Sequence, residues 1–434
     1  MLLETTRSLE RARRLLETRT PVLDAPALRL FVAEYFERGR RFLDGLDPDR
    51  LPAYVLDRDA LSGRARQFVT AFSRVLDPVS FYYAVKSNNY SGVSEILLEN
   101  GFGLDVSSGV ELEMALALGA RDIVFSGPGK TERELALAAA HSESVVVLVD
   151  SFTELERLEK AAAACGRVVS IGVRLTTQPS GLWRKFGILP EALSDFMGQA
   201  ARNPHVRMRG LQFHTSWSLD PGNQTAFIEQ LAGTLRHMRS SLRSRIEFVD
   251  IGGGYWPERG EWLQPAGAPE GRLRDALGES PGPPDLHHGL AAAPITVFAQ
   301  TIAEAVGKHL RPLLSARICL EPGRWICNDA MHLFVRVVDK KGPDLVITDA
   351  GTNAVGWERF ETDYFPVLNL SRPALVERPC HVLGSLCTPH DVWGYTYWGS
   401  GIEIDDILMV PTQGAYTYSL RQHFIKPLPE VVTL

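Results

Sequence analysis

The sequence predicts an α/β protein in which a (β/α)8 barrel of the TIM type is followed by a smaller all-β barrel or sandwich domain. Three observations lead there. Between about residues 58 and 329, short apolar runs alternate with amphipathic stretches, the pattern of parallel strands joined by crossover helices. About eight such strands close a barrel of roughly 250 residues. After about residue 330 the helical stretches stop, and short strand-like runs follow one another with turn residues between them.

The elements follow in order. Residues 27–45, ALRLFVAEYFERGRRFLDG, carry apolar positions at helical spacing and end on a glycine. LPAYVLDRDAL gives a short strand with Asp59 as a candidate cap, and its texture assigns residues 1–57 to a helix and strand joining the β domain. Four strand–helix pairs come next, from SFYYAVKSNN with SGVSEILLEN to VVVLVDS with TELERLEKAAAAC. VVSIGVRL then leads into a loop, MRGLQFHTS into a helix around Gln224–Arg239, and IEFVDIGGG into a long Gly/Pro-rich stretch. That stretch, Tyr255–Pro294 around His287 and His288, reads as a disordered insertion, with a lid over a site as the alternative. The barrel span is thus 58–329 and the C-terminal β domain 330–434, with strands in HLFVRVVDKK, GPDLVITDAG, PALVERPCHVLGSLC, DILMVPTQGAY and FIKPLP.

Composition excludes several classes. The 434 residues are 45% hydrophobic and 23% charged, ordinary for a globular enzyme-sized chain. A net charge of -6 without a long basic run gives no nucleic-acid or anionic-membrane surface. The five cysteines are scattered, without paired metal spacing, so no metal site is expected. The N-terminal MLLETTRSLERARRLLETRT lacks the apolar core of a signal peptide, and the longest apolar runs are too short to span a bilayer. The expectation is a reducing, cytoplasmic location.

In such a barrel, chemistry sits at the C-terminal ends of strands. Here those ends finish on Lys86, Asp105, Arg174, His214, Gly252–Gly254 and Glu321. A lone lysine ending an apolar strand usually leaves it for solvent; six polar or glycine endings together describe a lined pocket. Three successive glycines let backbone N–H groups close around a phosphate. In EPGRW a strand ends in a carboxylate and turns to an arginine.

YAVKSN, GLDVSSGVELEMAL, RLTTQPSGLWRKFGI, FHTS, DIGGGYW, EPGRW, GSLCTPHD and GAYTYS, in this order from about residue 50 to 420, together resemble the fold-type III pyridoxal-phosphate decarboxylases of ornithine, diaminopimelate and arginine. The resemblance implies an alanine-racemase-like fold, pyridoxal 5'-phosphate as cofactor and an amino-acid decarboxylase acting through a Lys86 Schiff base. It implies Glu321 at the pyridine nitrogen, His214 stacked on the ring, and Gly253, Gly254, Arg324 and Tyr416 on the phosphate. Asp105 and Glu111 are more distant supports, Arg174 one near the ring. Cys387 is implied as the proton donor to the carbanion, supplied across a two-fold homodimer, with Asp391, Tyr364 and Arg359 as substrate contacts.

The match departs at three places. Thr388 stands where the ornithine and diaminopimelate enzymes carry an acid after the cysteine, Trp357 where an arginine for a distal carboxylate is expected, and Trp217 where serine is common. These changes argue against a free diamino acid and resemble relatives acting on a modified one, either carrier-linked or a siderophore-type citryl conjugate. A racemase of the same fold would require arginine, not Glu321, at the pyridine nitrogen. A non-catalytic regulator would usually have lost Lys86 or Cys387.

Overall fold

The structure, a computed structural model of the chain, describes residues 2–17, 19–356 and 360–434. They form two compact units. One comprises Asp59–Glu258 and Ala293–Cys327; the other comprises the segment up to Arg58 together with Arg259–Ala292 and Asn328–Leu434.

The first unit is a closed barrel of eight parallel strands. In chain order these are β1 (Val79–Ala84), β2 (Gly103–Val106), β3 (Ile123–Phe125), β4 (Val145–Val149), β5 (Val169–Leu175), β6 (Val206–Phe213), β7 (Phe248–Asp250) and β8 (Arg317–Leu320). β8 closes the ring by pairing with both β7 and β1. The strands are covered on both faces, which is why VVVLV and its neighbours read as unbroken apolar runs. Three crossover helices begin where a Ser/Thr-x-x-Glu spacing falls: the side chains of Ser108, Thr131 and Ser151 accept from the backbone N–H of Glu111, Glu134 and Glu154. Each cap fixes how the chain leaves the strand before it, and so where that strand's last side chain points.

Tyr82, Val124, Leu148, Phe248 and Cys319 fill the barrel interior. Gly172 on β5 and Gly210 on β6 pair with each other and admit the Phe248 ring, which a Cβ at Gly210 would meet at 2.2 Å. This plug supports the barrel mouth from below.

The other unit is an eight-stranded sheet. Ala53–Leu56 lies within it, antiparallel to Met331–Phe334 and parallel to Glu430–Thr433. The helix Ala25–Gly45, capped by Asp24, lays Leu28, Val32, Tyr35 and Phe42 on this sheet against Val55, Phe334, Leu368 and Met409.

Two sequence expectations are corrected here. Residues 259–292 are folded and belong to the sheet unit rather than to the barrel span. They form the strands Glu261–Leu263 and His288–Leu290 and the helix Pro269–Ala276. Trp262 and Leu263 are buried, and the Glu270 carboxylate accepts both the Thr20 N–H and its hydroxyl proton. Anchors so distant in the chain are invisible to local composition. FIKPLP forms no strand, whereas Val392–Trp398 does, paired with Glu377–Leu383.

Among the described residues no helix is long and apolar enough to cross a membrane, and no cluster of His, Cys, Asp and Glu is placed to hold a metal. All five cysteines are unpaired.

Candidate active site

At the top of β1 the chain makes a single tight turn, Val85–Ser87, in which the Ser87 hydroxyl donates to the Ala84 carbonyl at 2.7 Å. The turn delivers Lys86, whose Nζ donates to Asp105 Oδ2 at 2.7 Å and whose side chain keeps a third of its surface exposed. Asp105, on β2, is fully buried, and its other oxygen accepts from the Ser126 hydroxyl. Burial and the neighbouring Glu321 raise the Asp105 carboxyl, against the lowering pull of Lys86.

Lys130, a buried lysine of the same barrel, offers a comparison. Lys130 Nζ donates at 2.8 Å to the Gly127 and Leu148 carbonyls and to Glu154. Its three donors are spent on structure. Lys86 alone of the two reaches the barrel mouth with an exposed side chain.

Opposite stands Glu321, directly after β8 and 1% exposed. Gln212 Nε2 lies 3.4 Å from its Oε2, and His214 Nδ1 lies at the same distance. Burial would push this carboxyl up, but the His214 contact and the Lys86 charge outweigh it and hold the group at about 2. Asp250, at the end of β7, faces Glu321 and is itself fully buried; burial and the Glu321 charge raise it well above the usual carboxylate range. Two ionised carboxylates cannot share a dry site, so Asp250 keeps the proton and Glu321 the charge. His214 is pushed down by its burial and by the nearby Lys86 and Arg174 cations, which keeps the ring neutral. Its Nδ1 also lies 3.2 Å from the Gly253 N–H. One nitrogen serves one of these partners at a time, so the tautomer decides between Glu321 and Gly253.

The glycines after β7 are fixed by crowding. A Cβ at Gly252, Gly253 or Gly254 would come within 2.6, 2.4 or 2.5 Å of the carbonyl oxygens of Phe213, Glu321 and Thr215 respectively. Arg324 opens the next short helix and places its guanidinium 4.4 Å from the centre of the Trp256 ring. Trp217 adopts φ +53 and meets Trp256 edge-on. Arg174 on β5 is buried over the Phe186 ring, under the loop that returns through Ile188 to its own carbonyl.

Lys86, Asp105, Arg174, His214, Gly253, Gly254, Glu321 and Arg324 therefore all lie at the C-terminal end of one barrel. Glu111 is a brace: its carboxylate accepts the Ser107 N–H at 2.6 Å. Cys387, Asp391, Tyr364 and Tyr416 lie in the sheet unit. Cys387 is exposed on the loop 384–391, and Tyr416 holds φ +61, a costly conformation for a side-chain-bearing residue.

Two of the expected substrate contacts, Asp391 and Tyr364, make hydrogen bonds within the sheet unit. Asp391 is 2% exposed, and its two oxygens accept the backbone N–H groups of Thr352 and Leu386, each at 2.6 Å, so it builds the Cys387 loop. Tyr364 is buried, donates to Glu377 at 2.9 Å and stacks on His287 at 3.4 Å. Arg359 and Trp357 lie outside the described residues. Sequence reasoning missed Asp250 and Gln212. Both are polar residues at paired positions on inward-facing apolar strands, and that anomaly was the available signal.

Residues 61–328 match the family described as "Pyridoxal-dependent decarboxylase, pyridoxal binding domain". The chain belongs to that family. It is a pyridoxal-phosphate-dependent amino-acid decarboxylase of the diaminopimelate/ornithine type. The decarboxylase is 26% identical over 429 residues to a diaminopimelate decarboxylase of Methanothermobacter thermautotrophicus, covering 92% of this chain and 91% of the relative. It is 25% identical over 402 residues to the L-glutamyl-[BtrI acyl-carrier protein] decarboxylase of Niallia circulans, covering 86% of each. Its fold matches diaminopimelate decarboxylase from Helicobacter pylori complexed with L-lysine, with TM-score 0.72, 21% identity and coverage of 91% and 93%. A lysine/ornithine decarboxylase complexed with putrescine from Vibrio vulnificus matches with TM-score 0.71, 21% identity and coverage of 93% and 98%. The residues present fit the cofactor: an amine at the barrel mouth, an ionised buried carboxylate across from it, and a glycine turn that side chains would fill.

Proposed function

We propose that this decarboxylase removes the α-carboxylate of an amino acid whose side chain is conjugated, either to a carrier protein or in a siderophore-type citryl conjugate. The observation that carries this reading is the Asp391 carboxylate, spent on the Thr352 and Leu386 N–H groups. With Thr388 in place of an acid, the Cys387 loop offers no free carboxylate to a distal ammonium. The carrier-protein relative lends further support.

Bound at this site, pyridoxal phosphate supplies an electron sink for the pair released when the carboxylate departs as CO2. Lys86 would hold the cofactor through its Nζ, which Asp105 positions. Ionised Glu321 would supply the charge that keeps the cofactor's ring nitrogen protonated, while Asp250 keeps the single proton of the carboxyl pair. Neutral His214 would offer its ring face to the cofactor. Gly253, Gly254, Arg324 and Tyr416 would hold the phosphate, with Trp256 bracing the Arg324 guanidinium. Cys387 returns one proton to the α-carbon, so one CO2 leaves for each proton taken up. In this reading the enzyme is a head-to-tail homodimer in which the neighbour's Cys387 serves each Lys86, and it works in a reducing cytoplasm, consistent with its unpaired thiols.

A free diamino acid is the second reading, favoured by the diaminopimelate decarboxylases among its relatives. Measured CO2 release from glutamyl thioesters, citryl conjugates, diaminopimelate and ornithine separates the two. The conjugate reading fails if diaminopimelate or ornithine turns over fastest.

A further inference from the structure

The three glycines after β7 carry six backbone hydrogen-bonding groups, and five of them are engaged. The Gly252 N–H donates to Asp250 Oδ1 at 2.8 Å, and the Gly253 N–H faces His214 Nδ1 at 3.2 Å. All three carbonyls accept. Gly252 takes the Glu321 N–H at 2.9 Å, Gly254 takes the Ser218 N–H at 3.0 Å, and Gly253 takes Gln224 Nε2 at 3.4 Å. Among the described residues the Gly254 N–H has no acceptor. Gly252 and Gly253 are buried, whereas Gly254 keeps part of its surface open.

Gln224 is the anomaly of its helix, Gly222–His237. The other buried positions there are Phe227, Ile228, Leu231, Ala232 and Leu235, all apolar. Gln224 is fully buried, its Oε1 has no partner among the described residues, and the Gly253 carbonyl is its side chain's single hydrogen bond there. A buried amide is costly unless it is bonded, so on packing alone an apolar side chain would suit this position better. What the bond does to the peptide explains the amide. In a trans peptide the carbonyl of one residue and the N–H of the next point in opposite directions. Holding the Gly253 carbonyl toward the helix therefore turns the Gly254 N–H away from it. The Ser218 bond fixes the peptide that follows, so Gly254 is clamped on both sides.

We infer that Gln224 is a positioning residue for the cofactor phosphate: its Nε2 sets the Gly253–Gly254 peptide so that the Gly254 N–H, the unspent donor of the turn, is presented to a phosphate oxygen. The inference rests on the phosphate role proposed above for the glycine turn, and it divides that role between two residues. Gly254 supplies the donor, and Gly253 supplies the carbonyl by which the donor is aimed. A phosphate oxygen is an anionic acceptor, so the bond is charge-assisted and sensitive to how well its donor is aligned.

Equilibrium titration of the full-length protein, stripped of cofactor, with pyridoxal 5'-phosphate and with pyridoxal separates phosphate recognition from every other contact. Gln224→Met removes the donor at nearly unchanged size. It should weaken pyridoxal 5'-phosphate roughly tenfold, the effect of one misaligned hydrogen bond to a charged group, and leave pyridoxal affinity unchanged. Unchanged pyridoxal binding also shows that the variant is folded around Lys86. Gln224→Leu should reproduce the result, so the test does not hang on one replacement. An equal loss for both ligands would mean that Gln224 only supports the fold, and no loss for either would mean that the Gly254 N–H is aimed without it; each overturns the inference. Arg324→Ala is the control for the underlying phosphate reading. If it selectively weakens pyridoxal 5'-phosphate and the Gln224 variants do not, the inference falls and the phosphate reading stands. If the wild-type protein binds the two ligands equally well, the phosphate reading falls and takes the inference with it.

Discussion

Asp250 and Glu321 face each other at the floor of the barrel mouth as two buried carboxyl groups holding a single proton, with the proton on Asp250. Folding therefore keeps Asp250 protonated at a pH where the unfolded chain releases that proton, above about 3.9. Each pH unit above that value favours the unfolded state by about 1.4 kcal/mol until the raised folded pKa is reached. Asp250→Asn removes this penalty and keeps the oxygen that accepts the Gly252 N–H at 2.8 Å. The variant should melt above the wild type at pH 7, with the gap closing toward pH 4. Glu321 behaves in the opposite sense. Held at about 2, it stabilises the fold above the unfolded carboxyl pKa, and that contribution disappears as pH falls through about 2. An Asp250→Asn melting difference that does not change with pH would place the proton elsewhere.

The Cys387 loop hangs on Asp391. Asp391→Ala strips the Thr352 and Leu386 N–H groups of their acceptor, which should let the loop drift. A displacement of about 1 Å lowers turnover roughly 100-fold. Cofactor absorbance should stay at the wild-type level, because Lys86, Gly253, Gly254 and Arg324, the proposed anchors of the cofactor on the barrel, do not depend on Asp391. Loss of bound cofactor in this variant would contradict the separation of roles.

Gly210→Ala forces a Cβ to 2.2 Å from the Phe248 ring in the barrel plug. Overpacking of this kind costs about 1–3 kcal/mol. Chemical denaturation should show that loss, and Phe248→Leu combined with Gly210→Ala should recover part of it. A neutral Gly210→Ala would mean the plug is loosely packed.

The barrel and its polar strand ends were legible in the sequence because both are local. A parallel strand covered on two faces must be apolar, so Lys86, Asp105 and Glu321 stand out where such runs stop. The capping serines and the triple glycine are equally local. The hydrogen bonds of Asp391 and Tyr364 were not legible, because they depend on partners far along the chain. Thr352 supplies an N–H to one, and Glu377 and His287 fix the other. The same reason hid the fold of residues 259–292, whose glycines and prolines give no sign that Thr20 will bond to Glu270.

The proposed shared-site dimer makes a quantitative prediction. Mixing Lys86→Ala with Cys387→Ala subunits gives mixed dimers in about half of all pairs, each with one intact site of two, so activity should return to about a quarter of wild type. No recovery after verified subunit exchange would mean that both groups act within one chain.

The central claim is that Lys86 is the amine that carries the cofactor. Borohydride reduction of the cofactor-loaded protein, followed by peptide mapping, tests it most directly. The account predicts phosphopyridoxyl on the peptide containing Lys86, with none on Lys130, and no labelling of that peptide in Lys86→Ala. A label on Lys130, or an unlabelled Lys86 in protein that contains pyridoxal phosphate, would contradict it.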